Sequence, residues 1–445
     1  MNILWRHKIR LSLHHLEKVA KLTKILNGMK IPRPTYLAQL VSSKGNGSIK
    51  IVTGLRRCGK SYLLFNLFAE HLANEGVGQD HIIKVDLEDI RNLELRKPLE
   101  LVKYIDSRMT DSSMYYILID EVQYVENFSD VLNSYLKIEN ADVYVTGSNS
   151  KFLSSDIATE FRGRGDEIHI YPLSFAEYYS AIGGDKGDAW KNYLTYGGLP
   201  HALTFDSHVK KANYLSNLYR TVYKVDLTER NKIGKTKEFD ELIKSMASSI
   251  GSPCNPSKLS NTFKSRGNAD LSANTINAYL SYMEDAFLIE KSSRYDVKGK
   301  KYISTLSKFY FTDMGVRNAL LDFRQQEETH IMENIIYNEL RIRGFSVDVG
   351  IVEMRGRNEN DEWYRRQFEV DFVANMGSKR YYIQSAFAMP NPEKMEQECN
   401  SLKNIQDAFK KIIIVRDNIN PWHTDDGILI LGLFDFLLNP NCLDF

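Results

Sequence analysis

Between residues 50 and 171, short and almost unbroken apolar runs alternate with stretches whose apolar positions recur every three or four residues. Strands are expected at Lys50-Ile51-Val52-Thr53, Ile82 to Leu87, Tyr115 to Ile119, Asp142 to Thr146 and Glu167 to Tyr171. Helices are expected between them, at Tyr62 to Glu75, Pro98 to Arg108 and Phe128 to Ile138. A strand apolar along its whole length offers no face to water, so the alternation predicts a parallel sheet with helices on both faces. From about 172 to 235 the period is helical, at Ser174 to Ile182, Asp188 to Tyr196 and Val209 to Val225, with a break at Gly197-Gly198-Leu199-Pro200. Three further helices follow, at Phe239 to Ile250, Asn255 to Ser265 and Ser272 to Asp285. Strands are then expected at Leu288 to Tyr295 and Lys301 to Phe311. Beyond 316 the pattern is mixed, with a helix at Met332 to Arg343 and strands at Ser346 to Val352, Glu369 to Ala374, Arg380 to Phe387 and Lys411 to Val415.

The first strand runs into Gly54-Leu55-Arg56-Arg57-Cys58-Gly59-Lys60-Ser61-Tyr62, which fits G-x-x-x-x-G-K-[ST] between a strand and a helix. Glycines let a backbone wrap a phosphate and point N–H groups inward, and the helix that begins there adds its positive end. The pattern assigns a nucleotide's phosphates to this loop, with Lys60 on the β- and γ-phosphates and the Ser61 hydroxyl on Mg²⁺. The third strand ends in Asp120-Glu121. Beside a phosphate loop, Asp120 is expected to hold Mg²⁺, and Glu121 to orient and deprotonate the attacking water.

Two weaker signals follow. Thr146-Gly147-Ser148-Asn149 ends the fourth strand, where Ser148 or Asn149 either senses the γ-phosphate or only shapes the turn. Phe161-Arg162-Gly163-Arg164-Gly165 offers two guanidinium groups. Arg162 or Arg164 is either an arginine finger that stabilises transition-state charge, in its own subunit or on a neighbour in a homo-oligomer, or part of a solvated turn.

Composition narrows the setting. The 445 residues carry 58 Lys+Arg and 57 Asp+Glu, with 43% hydrophobic and 26% charged residues. That is ordinary for a globular protein and excludes collagen-like and fully disordered chains. No apolar run reaches the roughly 18–20 residues of a membrane span; Gly427 to Leu438 is the nearest. No signal peptide is expected at the charged N-terminus, and the four scattered cysteines form no Cys-x-x-Cys pair, so a cytoplasmic setting is expected. The balanced charge hides an asymmetry, because residues 1–50 hold ten Lys/Arg against Glu17 alone. Residues 1–30 read as a basic amphipathic helix, ended by Pro32 and Pro34, that either packs on the main domain or meets an anionic surface.

With these residues together, the chain resembles the AAA-like P-loop ATPases of bacteria and archaea that carry a C-terminal domain of unknown function. The resemblance covers about 31–420. It rests on Thr53 to Ser61, Leu118-Ile119-Asp120-Glu121-Val122-Gln123, Thr146 to Asn149, Gly163-Arg164 and Tyr171 to Glu177. It continues with Gly197 to Pro200, Phe309 to Gly315 and Glu333-Asn334. It implies ATP binding and hydrolysis and names no biological role.

Four segments are expected: the extension 1–30; an ATPase domain with helical lid, 31–235; a winged-helix-like module, 236–315; and a mixed α/β domain like a restriction-endonuclease core, 316–445. In the third, Asn274, Thr275, Asn277 and Tyr279 would be exposed on the recognition helix and Lys298 to Lys301 would form the wing, a pattern suited to duplex DNA or to a protein partner. In the fourth, Glu333 and Glu369-Val370-Asp371 echo nuclease acids. Gln384 and Ala386, however, stand where such a site needs a metal-binding acid and a lysine. A nuclease-like core without activity is expected, with Lys379 the nearest lysine that another element could supply. The leading reading is thus a Mg²⁺-dependent ATPase whose nucleotide state controls a C-terminal recognition region. The alternatives are a nucleotide-gated binding module with little turnover and, least favoured, an ATP-dependent nuclease.

Overall fold

The structure is a computed structural model that describes residues 30–148, 163–265, 271–357, 363–389 and 391–444. The extension before residue 30 therefore lies outside the described residues, as do Asn149 and Arg162. The chain folds as two compact units. One takes the chain up to Leu173 with Leu199–Lys211 and Asp285–Phe287; the other takes Ser174–Gly198, Ala212–Glu284 and Leu288–Phe445.

In the first unit, β1 (Ile49–Thr53), β2 (Ile82–Asp86), β3 (Tyr115–Asp120), β4 (Ala141–Thr146) and β5 (Gly165–His169) form a sheet in the order β2-β3-β4-β1-β5. Every neighbouring pair is parallel. β1 and β3 are buried at every position, as their apolar runs require. Ile83, Ile117 and Val143 pack with Leu101 and Ile105 of one helix, Pro98–Asp106, and Leu132 and Tyr135 of another, Phe128–Tyr135. Lys50 is the misfit in β1. Its ammonium pairs with Asp142 of β4, which also accepts from Gly45 N at 3.0 Å and Tyr144 Oη at 2.9 Å, so the buried charge is fully partnered. The phosphate-loop helix starts at Lys60 and continues, through a π-helical stretch at Leu63–Phe68, to Asn74.

The second unit is built on eight strands in the order β12-β13-β11-β10-β9-β8-β6-β7. They are β6 (Ile289–Asp296), β7 (Lys301–Phe311), β8 (Ser346–Arg357), β9 (Trp363–Met376), β10 (Lys379–Ala386), β11 (Lys410–Val415), β12 (Trp422–His423) and β13 (Leu429–Gly432). Three helices, Thr236–Ser248, Pro256–Ser265 and Ala273–Asp285, precede the β6–β7 hairpin in the expected order. The hairpin is not a free wing, because β6 pairs in parallel with β8. Tyr279 is also not exposed: it is buried edge-on against Phe239, with ring centroids 5.2 Å apart, because its position shares the apolar face of Ile276, Leu280 and Met283. Asn274 and Asn277 are exposed.

Several of the motifs in this unit are packing fixtures. Asp313 Oδ1 caps the helix Met314–Leu320 by accepting from Val316 N at 2.9 Å, and its Oδ2 accepts from Gly198 N at 2.8 Å. A Cβ on Gly197 would meet that carboxylate at 2.4 Å, and one on Gly315 would meet Tyr196 O at 2.0 Å. Asn334 grips β7 twice, accepting from Phe311 N at 2.8 Å and donating to Phe311 O at 2.7 Å.

Candidate functional site

The first unit's site forms at the carboxyl ends of β1, β3 and β4. β4 lies between the other two, so the turn that follows it sits between the phosphate loop and the acid pair. Gly54 has φ +139°, and a Cβ there would meet Ile170 O at 2.1 Å, so only glycine lets the loop turn back over β5's exit. Gly59, at φ +106°, delivers the chain into the helix. Lys60 is buried with its ammonium inside the loop, donating to Gly54 O at 3.1 Å and Leu55 O at 3.4 Å. Arg56 reaches outward to Glu88 at 2.9 Å, and Arg57 is exposed with φ 70°. Cys58 is buried, which pushes its thiol pKa up, and its sulfur donates to Ile170 O at 3.7 Å; it is a packing residue.

Ser61 Oγ donates to Asp120 Oδ2 at 2.7 Å, so the two residues expected on Mg²⁺ are in contact. Asp120 Oδ1 accepts from Thr146 Oγ1 at 2.5 Å. Burial pushes the Asp120 carboxyl up to about 6, against the pull of the hydrogen bonds from Thr146 and Ser61. A buried carboxylate beside a hydroxyl is a pair of hard oxygen donors, which fits Mg²⁺. Glu121 takes a left-handed φ of 51° and its N–H donates to Thr146 Oγ1 at 2.8 Å. Ser148 Oγ donates to Glu121 Oε2 at 3.0 Å, and Gln123 Nε2 donates to the same oxygen. Thr146 and Gln123 were not singled out from sequence, although both lie inside the motifs quoted.

Arg164 stands apart. Its carbonyl accepts from Ile49 N at 2.9 Å, at the amino ends of β1 and β5, so the length of a five-residue strand, about 15 Å, separates it from the loop. It does not belong to its own subunit's site.

Beside the loop, Ile31, Arg33, Gly59, Tyr62, Leu173, Pro200, His201, Leu203 and Thr204 line a mostly apolar cavity of about 260 Å³. Arg33 is buried and ties this wall to the loop, donating to Cys58 O at 3.2 Å and Tyr171 O at 2.7 Å, with its guanidinium 4.7 Å from the Tyr36 ring centre. Sequence patterning gave no hint of this wall, because its parts come from three distant segments.

In the second unit, the nuclease-like acids do converge, and on a lysine. Lys308 of β7 lies 3.0 Å from Glu333, 2.8 Å from Glu369 and 3.9 Å from Asp371. Tyr310 Oη donates to Glu333 at 2.8 Å, and Ser385 N donates to Asp371 at 2.8 Å. Lys379 is elsewhere, paired with Asp444 at 2.8 Å. Gln384 Oε1 accepts a long bond from Asp371 N, 3.4 Å, and Ala386 is core. Burial, then Glu333, push Asp371 up to about 8 against the pull of Lys308. Burial alone would lower the Lys308 ammonium, but the surrounding acids raise it.

Residues 46–179 match an AAA domain and residues 187–327 a domain of unknown function (DUF8612). An uncharacterised protein of Haemophilus influenzae is 32% identical over 414 residues, covering 92% of this chain and 98% of its own length. One from Methanocaldococcus jannaschii is 30% identical, covering 84% of this chain and 80% of its own. Among solved structures, a Walker-type ATPase of Pyrococcus abyssi matches with a TM-score of 0.47 at 14% identity, over 66% of this chain and 96% of that one. The Aeropyrum pernix ORC1 protein, solved in complex with DNA, gives 0.31 at 12% identity, over 67% and 95%.

Proposed function

The chain belongs to the AAA-like P-loop ATPases that carry a C-terminal domain of unknown function, and from that premise we propose that its first unit binds Mg²⁺·ATP and hydrolyses it. The observation that carries this is the 2.7 Å contact between Ser61 and Asp120, with Lys60 in the loop beside them and Glu121 next in the chain. The loop N–H groups and Lys60 take the phosphates. The cavity walled by Ile31, Leu173, Pro200 and Leu203 takes the base, with Arg33 fixing that wall to the loop. Ser61 and Asp120 would hold Mg²⁺, which when bound neutralises charge developing on the phosphate oxygens. Glu121, held by Ser148 and Gln123, accepts the proton of the attacking water.

Two variants test this. Lys60→Ala should weaken ATP binding by orders of magnitude, and equal affinity would remove the loop from the proposal. Glu121→Gln should keep Mg²⁺·ATP bound while slowing single-turnover hydrolysis about 10²-fold or more. An unchanged rate would remove Glu121 as base and favour a binding module with little turnover. In the same proposal the second unit recognises the partner that the nucleotide state controls. The exposed Asn274 and Asn277, with exposed lysines at 298, 300 and 301, suit duplex DNA.

A further inference from the structure

The turn after β3 holds a group whose second half has no use in the scheme above. Gln123 Nε2 donates to Glu121 Oε2 and lies 3.4 Å from Ser148 Oγ. Only the amide nitrogen can face a carboxylate, because the amide oxygen would repel it. That choice fixes the other end. Gln123 Oε1 is turned away from Glu121, is buried, and has no hydrogen-bond partner among the described residues. An orphaned buried acceptor keeps its desolvation cost, and a water O–H removes that cost.

We propose that Gln123 Oε1 is the second acceptor for the attacking water, beside Glu121. This rests on the ATP-hydrolysis reading. The water gives one hydrogen to Glu121 and the other to Gln123 Oε1, which aims its lone pair at the γ-phosphorus. As the new O–P bond forms, the bond from that phosphorus to the β–γ bridging oxygen breaks, and its electron pair leaves with ADP. One water proton passes to Glu121, and the O–H held by Gln123 remains on the inorganic phosphate.

Gln123 does not hold the base alone. Without it, Glu121 keeps the hydrogen bond from Ser148 and its own backbone bond to Thr146. The base therefore retains one side-chain hydrogen bond, from Ser148, while the water loses one of its two anchors.

The test is Gln123→Met, close in bulk and without the amide, in the full chain. ATP affinity is measured by titration of a fluorescent ATP analogue and chemistry by single-turnover hydrolysis. The expected result is affinity within about twofold of wild type and hydrolysis slowed about 10–10²-fold. In a Glu121→Gln background the same change should add little, because both residues act on one water. A merely structural role would lower affinity and rate together, and would add to the Glu121→Gln effect. Either of those results, or a wild-type rate in Gln123→Met, overturns the proposal. If Gln123→Met does not fold, Gln123→Asn, which withdraws the oxygen by one methylene, is held to the same criteria. Wild-type protein that binds ATP and never hydrolyses it overturns the hydrolysis reading itself, and this proposal with it, before any variant is made.

Discussion

Lys308→Met isolates what one buried ammonium does for the second unit. Lys308 is 4% exposed, and its carboxylate partners Glu333, Glu369 and Asp371 are 13%, 34% and 11% exposed. At an effective dielectric of about 20, a unit-charge pair 3 Å apart gains about 5–6 kcal/mol, and one at 3.9 Å about 4 kcal/mol. Desolvation of each ion takes back several kcal/mol, so the sum of these attractions is not the expected loss. Removing one partner of a buried ionic group costs about 3–5 kcal/mol, because the remaining charges are left buried and uncompensated. Methionine keeps most of the aliphatic stem, so packing contributes little to the difference. We therefore expect Lys308→Met to lose about 3–5 kcal/mol at pH 8. The loss should be smaller at pH 6, where Asp371, pushed up to about 8, takes up a proton and removes one of the stranded charges. Adding Glu333→Gln should recover part of the loss for the same reason. The assay is urea unfolding followed by tryptophan fluorescence, since Trp190, Trp363 and Trp422 all lie in the second unit. A loss under about 1 kcal/mol, or one that does not shrink as pH falls, would refute the reasoning.

Asp371 gives a pH dependence of its own in the wild type. Its folded pKa lies above the ordinary carboxylate value, so the folded state binds more protons than the unfolded state between about pH 4 and 8. Stability from this group is therefore fully present below about pH 4 and is lost as pH rises through 8. Its slope cannot exceed about 1.4 kcal/mol per pH unit, and Asp371→Asn should flatten the thermal-melt profile over that window; an unchanged profile would contradict the assignment. For the recognition proposal, duplex binding should weaken with a log–log salt slope of about −0.9 per phosphate contact. Deleting residues 1–30 removes seven basic residues and one acid, and should flatten that slope without changing sequence preference. Asn274→Ala or Asn277→Ala should instead change preference. No duplex binding at low salt, with or without ATP, would leave a protein as the partner.

The first unit was legible because its signals are local. A fully apolar strand, a glycine-bounded loop and an acid pair each declare themselves within ten residues, and Lys60, Ser61, Asp120 and Glu121 stand together as their spacing required. Thr146 and Gln123 were not legible, because a threonine ending a strand and a glutamine in a turn carry no pattern that separates them from solvated ones. Arg164 shows the converse. Gly163-Arg164-Gly165 has the composition of a functional turn, but its role depends on which end of the sheet it occupies, and that follows from the parallel pairing of β5 with β1. Tyr279 failed for a simpler reason: the apolar stripe of its helix includes position 279, and an aromatic ring there packs inward against Phe239.

The second unit shows why motif residues should be sorted by what they touch. Asp313, Gly197 and Gly315 lie in the stretches that carry the family resemblance, and in the structure both aspartate oxygens accept from backbone N–H groups while the glycines are needed for close approach. Asn334 likewise spends its amide on the two polar groups of Phe311. Glu333, one residue before Asn334, turns to Lys308, which β7 supplies and β10 does not. The lysine absent at Ala386 thus has a counterpart on another strand, but its ammonium is bonded to Glu333 and Glu369 at 3.0 and 2.8 Å. A cation so held compensates the charge of the buried acids. The chemistry proposed for this chain rests on the first unit, where Glu121 Oε2 accepts from Ser148 and Gln123 and the amide oxygen of Gln123 is left without a partner among the described residues.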